Sequence, residues 1–187
     1  MDFTPTPSQT VGPYLHLGLT DARSIARVAG DGANGERIGL TFRVLDGEGV
    51  PVPDAMIEVW HADSKGNYAH HDGSADDAAF RGFGRLPTAE DGSCTFETIK
   101  PGCVPGPGEA VQAPHINVSI LGRGILKRLS TRLYFAGEPA NAADPVLALV
   151  PENRRATLFA QPDPTRSGNW ILNVHLRGEG ETVFFDV

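Results

Sequence analysis

The chain has 187 residues, of which 40% are hydrophobic and 21% are charged, and its formal net charge is −7. This composition argues against intrinsic disorder, and the negative charge disfavours nonspecific binding to nucleic acid or anionic lipid. The length predicts one domain over residues 1–187. The 22 glycines and 15 prolines indicate many turns, and with them an all-β fold.

Residues 1–20 are predicted to form an extended arm. Pro5, Pro7 and Pro13 interrupt any helical period, and the arm ends in the apolar stretch "YLHLGL", which we expect to lie against another surface. The first residues lack the basic and apolar regions of a signal peptide, and no apolar run approaches the roughly 20 residues of a membrane span. A cytoplasmic location is therefore expected.

The remainder of the chain is dominated by short segments of strand character. Residues 21–36 are predicted to be a surface loop, and one short helix is predicted within residues 144–162, with Pro151 in its first turn. About eight strands with regular turn signals predict a β-sandwich. The predicted strands are 37–45, 50–62, 80–88, 93–99, 114–121, 127–135 and a closing hairpin of 169–177 with 182–187.

The stretch "APHINVSIL" (113–121) carries the first candidate for chemistry. Ile116, Val118 and Ile120 alternate with polar residues, so His115 and Asn117 are neighbours on the opposite face of a strand. A His-x-His pair at this spacing would place two imidazoles on one metal ion. The His-x-Asn found here leaves three readings open: a metal site, half of one, or an ordinary strand.

The other metal-binding residue types give weak signals. Cys94 and Cys103 match no common zinc spacing and are interpreted as reduced thiols. His70 and His71 lie in a polar loop and are interpreted as solvated side chains.

Several motifs in a fixed order identify a family. "EVWHADSKGNY" (58–68), "TIKPG" (98–102), "APHINVSI" (113–120) and "TRLYF" (131–135) resemble the core of the intradiol ring-cleaving dioxygenases. "TPSQTVGPYLHLGL" (6–19), the "GRG" turn and "GEGETVFFD" (178–186) resemble more specifically the alpha type of chain in the two-chain members. The resemblance covers nearly the whole chain and is weakest at 21–36 and 137–168.

The resemblance implies a ferric site that is incomplete in this chain. Catalytic members of the family hold Fe(III) with two tyrosines and two histidines, because phenolate oxygens stabilise Fe(III) and imidazoles complete the coordination sphere. The four corresponding positions are Tyr68, Val104, His115 and Asn117. Gln112 stands where the family has an arginine three residues before the first histidine. The resemblance therefore implies vestigial ligand positions, no bound metal and no catalytic residue on this chain alone.

The resemblance also implies a partner and a shared pocket. A homologous beta chain would carry the Fe(III), and the substrate would bind between the two chains before ring cleavage by O2. The wall positions on this chain are Thr10, Gly12, Pro13 and Tyr14 in the arm and Arg123 in the "GRG" turn. The implied substrate is an aromatic ortho-diol carrying a carboxylate, for which the guanidinium of Arg123 is a suitable charge-assisted partner.

Other interpretations remain open at this stage. The chain could act alone as an intradiol dioxygenase with an unusual ligand set, or it could be a β-sandwich binding module for carbohydrate or protein. His115 and Tyr68 could be buried side chains bonded to their neighbours, and "GRG" (122–124) could be an ordinary turn.

Overall fold

The computed structural model describes residues 6–20, 23–69 and 79–187. Helices are few: α1 (Pro13–Leu19), α2 (Glu152–Arg155) and three short 3-10 turns. The described residues form ten strands: β1 (Arg37–Leu45), β2 (Met56–Trp60), β3 (Phe83–Pro87), β4 (Ser93–Ile99), β5 (Val104–Pro105), β6 (Val111–Gln112), β7 (His115–Leu121), β8 (Leu129–Phe135), β9 (Phe159–Pro162) and β10 (Asn169–His175).

Eight of these strands form one sheet in the order β3-β2-β7-β8-β9-β10-β1-β4. The half β3-β2-β7-β8 is antiparallel throughout, whereas β1 and β10 in the other half run parallel. The halves are joined where Tyr134 and Phe135 of β8 pair with Phe159 and Ala160 of β9. The predicted all-β, sandwich-like fold is confirmed, with the two layers continuous through this short junction.

A segment before β1 closes most of the remaining gap between the two edge strands. Ile25 bridges to Arg85 of β3, and Arg27 bridges to Glu97 of β4. Val28 is buried against the core, so the prediction of a surface loop over 21–36 is wrong for this segment. The edge strands leave unpaired backbone groups, and a neighbouring extended segment satisfies them.

The core lies between the two halves of the sheet. Inward residues alternate along each strand as a pleated ribbon requires, and in β1 they are Ile38, Leu40, Phe42 and Val44. The main apolar contributions from the other strands are Ile57, Val59, Phe96, Ile116, Val118, Ile120, Leu133, Phe135, Leu172 and Val174.

The N-terminal arm differs from its prediction. It contains the helix α1, with Gly12 as its N-cap and Pro13 in its first turn. Proline is favoured at that position because its missing N–H would have no partner there. The prediction of an extended arm is therefore wrong for "YLHLGL", which forms most of this helix.

The late helix and the closing hairpin also differ from their predictions. Only Glu152–Arg155 of the predicted helical region is α-helical, because Pro151 precedes that turn and residues 159–162 enter the sheet as β9. Residues 182–187 do not form a strand with β10. The tail instead crosses to β8, where Phe185 bridges Ser130.

Some predictions fall on residues that the structure does not describe. His70, His71 and the first five residues of the predicted arm lie outside the described ranges. Within the ranges that the structure describes, no helix has the length and apolarity needed to cross a membrane.

Candidate functional site

Strand β7 presents its two faces as the sequence alternation predicts. Ile116, Val118 and Ile120 point into the main core. His115 lies on the other face and is buried by a second, smaller cluster that includes Tyr134. Asn117 is half-buried beside it and pairs in register with Trp60 of β2.

Three of the four predicted ligand positions are connected by hydrogen bonds through Tyr68. The hydroxyl oxygen of Tyr68 lies 3.4 Å from Nε2 of His115, and Nδ2 of Asn117 donates to the same hydroxyl at 3.2 Å. Nδ1 of His115 lies 2.8 Å from the carbonyl oxygen of Ala113. A carbonyl only accepts, so Nδ1 carries the proton and Nε2 accepts from the Tyr68 hydroxyl. The three side chains thus form a directed chain of hydrogen bonds.

The fourth position lies against the loop that carries Tyr68. Gly66 has a φ of 87°, and a Cβ added there would approach the carbonyl oxygen of Cys103 to 1.9 Å. Only glycine allows this contact between the loop and the segment before Val104. Val104 is buried and pairs with Gln112.

These residues do not fit a ferric ion. Valine has no donor atom, the amide of Asn117 directs its N–H at Tyr68, and Nε2 of His115 is occupied by the tyrosine hydroxyl. Across the described residues, no group of three or more His, Cys, Asp or Glu side chains could hold a metal ion.

The positively charged side chain of Arg132, which the sequence analysis did not single out, lies in this region. Nη1 of Arg132 donates to Oε1 of Gln112 at 2.7 Å and to the hydroxyl of Tyr134 at 3.3 Å. Burial lowers the pKa of His115 below its ordinary value of 6.5, and the positive charge of Arg132 lowers that pKa further. The bond to Ala113 and the carboxylate of Asp144 oppose this shift, and His115 is neutral near pH 7.

Asp144 binds several groups around His115 through hydrogen bonds. Its carboxylate accepts hydrogen bonds from the backbone N–H of Ala113 at 2.7 Å and from the Tyr134 hydroxyl at 3.1 Å. It also accepts from the N–H groups of Val146 and Leu147. These four hydrogen bonds compensate for the hydration that the buried carboxylate has lost, which explains how it can lie beside strand β7.

The predicted pocket-wall residues gather at a different place. The hydroxyl of Thr10 donates to the carbonyl oxygen of Gly122 at 3.4 Å and accepts from the N–H of Gly124 at 2.9 Å. Thr10 in the arm and Arg123 in the turn are therefore neighbours, although 113 positions separate them in sequence. Gly12, Pro13 and Tyr14 follow directly at the start of α1 and are exposed.

These wall residues lie far from the chain's own vestigial ligand positions. His115 begins β7, and Arg123 follows the end of that strand, which is about 20 Å long at roughly 3.4 Å per residue. The register agrees, because Trp60 lies opposite Asn117 while Met56 lies opposite Leu121. A small aromatic molecule cannot contact both ends.

Asp54 is the second residue that the sequence analysis missed. Its Oδ2 lies 4.0 Å from Nη2 of Arg123, and the two side chains are 56% and 81% exposed. Asp54 has a φ of 60°, an uncommon conformation in which Asp and Asn are over-represented. The sequence analysis placed Asp54 within the predicted strand 50–62, whereas the structure begins β2 at Met56, and no local pattern indicates a contact with Arg123.

The fold and these motifs define a class of protein. A sequence model of a family described as "Dioxygenase" matches residues 11–178. The chain belongs to this dioxygenase family, and the resemblance to intradiol enzymes is confirmed.

Individual relatives refine this assignment. The chain is 46% identical to the protocatechuate 3,4-dioxygenase alpha chain of Burkholderia cepacia, over 97% of both chains. It is 38% identical to the beta chain from the same organism, over 79% of this chain and 67% of the relative. Among solved structures, the dioxygenase domain of a dioxygenase carbohydrate-binding protein fusion from Streptomyces sp. SirexAA-E superposes with a TM-score of 0.63. That domain shares 26% identity, and the match covers 94% of this chain and 99% of the other.

Proposed function

We propose that this chain is the alpha subunit of a protocatechuate 3,4-dioxygenase. The enzyme would cleave protocatechuate with O2 between its two hydroxyl-bearing carbons, giving 3-carboxy-cis,cis-muconate with both oxygen atoms incorporated. The Fe(III) would be held by a homologous beta chain, and the assembly would be a cytoplasmic alpha-beta hetero-oligomer. One domain over residues 1–187 remains part of this proposal.

One observation carries the proposal. The ligand positions of this chain are closed by the hydrogen bonds among Tyr68, His115 and Asn117, while the predicted wall residues gather about 20 Å away. Wall residues that cannot reach the site of their own chain are useful only to a site on another chain. The 46% identity to an alpha chain over almost the full length supports the same role.

The exposed face of α1 supports a partner at this place. Helix α1 has no buried residue, and its Tyr14 and Leu17 are 83% and 61% exposed. Residues three positions apart on a helix share a face. Two large exposed apolar side chains beside the Thr10–Arg123 contact provide a surface that a second chain can cover.

In this arrangement the chain binds and orients the substrate. Protocatechuate carries its carboxylate away from the carbons that react, so a cation on one chain can hold the ring while the diol reaches the iron of the other. Arg123, on an exposed turn, provides that cation. Gly12 and Pro13 bring backbone close to the ring without a bulky side chain.

The test compares the purified chain with the chain co-expressed with its iron-bearing homologue. We expect the isolated chain to be colourless, to contain far less than one iron per chain and to cleave no catechol. The co-expressed complex should contain iron and cleave protocatechuate. Stoichiometric iron with activity in the isolated chain would instead establish a stand-alone dioxygenase.

A matched variant controls for the ligand argument. The double substitution Val104→Tyr with Asn117→His restores the two missing donors, and we expect it to gain iron in the isolated chain. Its activity should stay poor because Gln112 occupies the arginine position. A native pull-down that yields no iron-bearing homologue would favour a binding module.

A further inference from the structure

Arg123 lies at the second position of a tight turn. The N–H of Ile125 donates to the carbonyl oxygen of Gly122 at 3.3 Å, which defines a four-residue β-turn over 122–125. Gly124 has a φ of 81°, the value that the third residue of a type II turn requires. Type I and type II turns differ in the orientation of their central peptide, here the one that joins Arg123 to Gly124. That peptide's orientation sets ψ of Arg123.

Thr10 binds this central peptide directly. Its hydroxyl accepts from the N–H of Gly124 at 2.9 Å, and its proton is directed at the carbonyl oxygen of Gly122 at 3.4 Å. A hydroxyl has one proton to donate. The Thr10 proton is therefore used within the chain and is not free for a substrate carboxylate.

Asp54 borders the same turn from the turn that precedes β2. Its carboxylate is 4.0 Å from the Arg123 guanidinium, and both groups are largely exposed. An exposed pair at this distance is weak. The ion pair therefore does little to fix the guanidinium, and the conformation of the turn decides the direction in which the Arg123 side chain leaves the backbone.

We propose that Thr10 is a positioning residue that acts on the substrate through Arg123. By holding the Arg123–Gly124 peptide in the type II orientation, it directs the guanidinium towards the substrate carboxylate. Without the hydroxyl, the central peptide is free to rotate, and the guanidinium spreads over more orientations. This inference rests on the proposed function, because it requires a carboxylated substrate at the alpha–beta interface.

The test uses the assembled alpha-beta enzyme with Thr10→Val, which keeps the shape of threonine but lacks the hydroxyl. We expect KM for protocatechuate to rise roughly 2- to 10-fold, the range of one net hydrogen bond, with kcat unchanged. Thr10→Ser, which keeps the hydroxyl, should behave as the wild type. Catechol, which lacks the carboxylate, should respond to neither variant.

A double-mutant cycle separates positioning from direct contact. If Thr10 acts through Arg123, adding Thr10→Val to Arg123→Ala should cause no further rise in KM for protocatechuate. Independent, multiplying effects would overturn the proposal in favour of a direct Thr10–substrate contact. An unchanged KM in Thr10→Val, or an equal loss for catechol, would also overturn it.

The Arg123→Ala arm tests the underlying function separately. If Arg123→Ala raises KM for protocatechuate but not for catechol while Thr10→Val does neither, the carboxylate contact stands and the positioning role is wrong. If Arg123→Ala fails to distinguish the two substrates, the proposed substrate contact itself fails, and the inference about Thr10 fails with it.

Discussion

At the scale of single residues, Arg123 is the side chain on which the proposed substrate preference depends. It is 81% exposed, and among the described residues its nearest carboxylate, from Asp54, is 4.0 Å away, so its charge is available to a ligand. A charge-assisted bond to a carboxylate is stronger than a neutral one, but solvent at an exposed turn reduces its net value. The contact should therefore affect affinity more than chemistry.

We expect Arg123→Ala, assembled with a wild-type beta chain, to raise KM for protocatechuate about 10-fold. The carboxylate lies away from the reacting carbons, and a contact that is equal in ground and transition states changes KM but not kcat. We therefore expect kcat and the visible iron spectrum to stay the same. Steady-state kinetics on protocatechuate and catechol provide the measurement. A parallel loss on both substrates would show that Arg123 supports folding or assembly, and "GRG" would then be an ordinary turn.

At the scale of elements, α1 is a helix that the body of the chain holds only loosely. It has seven residues, no side-chain N-cap and no buried side chain, and helices this short are marginal in water on their own. Its end is fixed by the buried Thr20, whose backbone N–H and hydroxyl both bond the carbonyl oxygen of His16. In the described part of the arm before Gly12, Thr10 is hydrogen-bonded to the body of the chain, at the turn that carries Arg123.

We therefore expect deletion of residues 1–14 to damage the assembled enzyme without unfolding the chain. The free energy of unfolding of the truncated chain should change by less than about 1 kcal/mol, since the described part of the deleted segment, residues 6–14, contains no buried side chain. The specificity constant kcat/KM of the alpha-beta assembly for protocatechuate should fall, because the wall residues of the arm are lost, and with them the hydrogen bonds of Thr10 to the Arg123 turn. Denaturant unfolding and kinetics measure the two effects separately.

An outcome with unchanged kcat and KM would contradict the pocket role of Thr10, Gly12, Pro13 and Tyr14. Cooperative unfolding of the truncated chain at a much lower denaturant concentration would show instead that the arm belongs to the core. A control deletion of residues 1–5 retains every described contact of the arm and should leave both measurements unchanged.

At the scale of the whole molecule, His61 connects the two halves of the sheet. It follows β2 in one half, and its Nε2 lies 2.8 Å from the hydroxyl of Thr98 on β4 in the other. Its Nδ1 donates to the carbonyl oxygen of Ala62 at 2.7 Å. The side chain is fully buried, and burial lowers the pKa of His61 from 6.5 to about 4.

This histidine makes stability dependent on pH. Between pH 6.5 and 4 the unfolded chain binds a proton at this position and the folded chain does not, so folding stability falls as the pH falls through this window. The difference between the two pKa values corresponds to a loss of about 3 kcal/mol, complete near pH 4. Above pH 6.5 the contribution is fully present.

Denaturant unfolding at several pH values, with NMR titration of the His61 ring, tests this expectation. The variant His61→Gln should be less stable than the wild type but should show a smaller loss between pH 6.5 and 4. The residual slope in that window comes partly from His115, whose pKa burial also lowers. A His61 ring that titrates near pH 6.5 in the folded chain would contradict the argument.

The amino-acid sequence by itself determined the features that have a short period or a fixed motif order. The alternation in "APHINVSIL" predicted strand β7 and put His115 and Asn117 on one face, because side chains of a strand repeat every two residues. The order of the motifs identified the dioxygenase family, and the positions Val104 and Asn117 already lacked the chemistry of a ferric site. These conclusions need no knowledge of which strands are neighbours.

Only the tertiary structure decided the features that depend on distant contacts. The entry of residues 159–162 into the sheet and the burial of Val28 each contradict the local pattern. Local sequence sets weak preferences, and they yield wherever an unpaired sheet edge or an apolar face provides a stronger contact. The bond between Thr10 and the Arg123 turn joins segments more than 110 residues apart, so no local period could have revealed it.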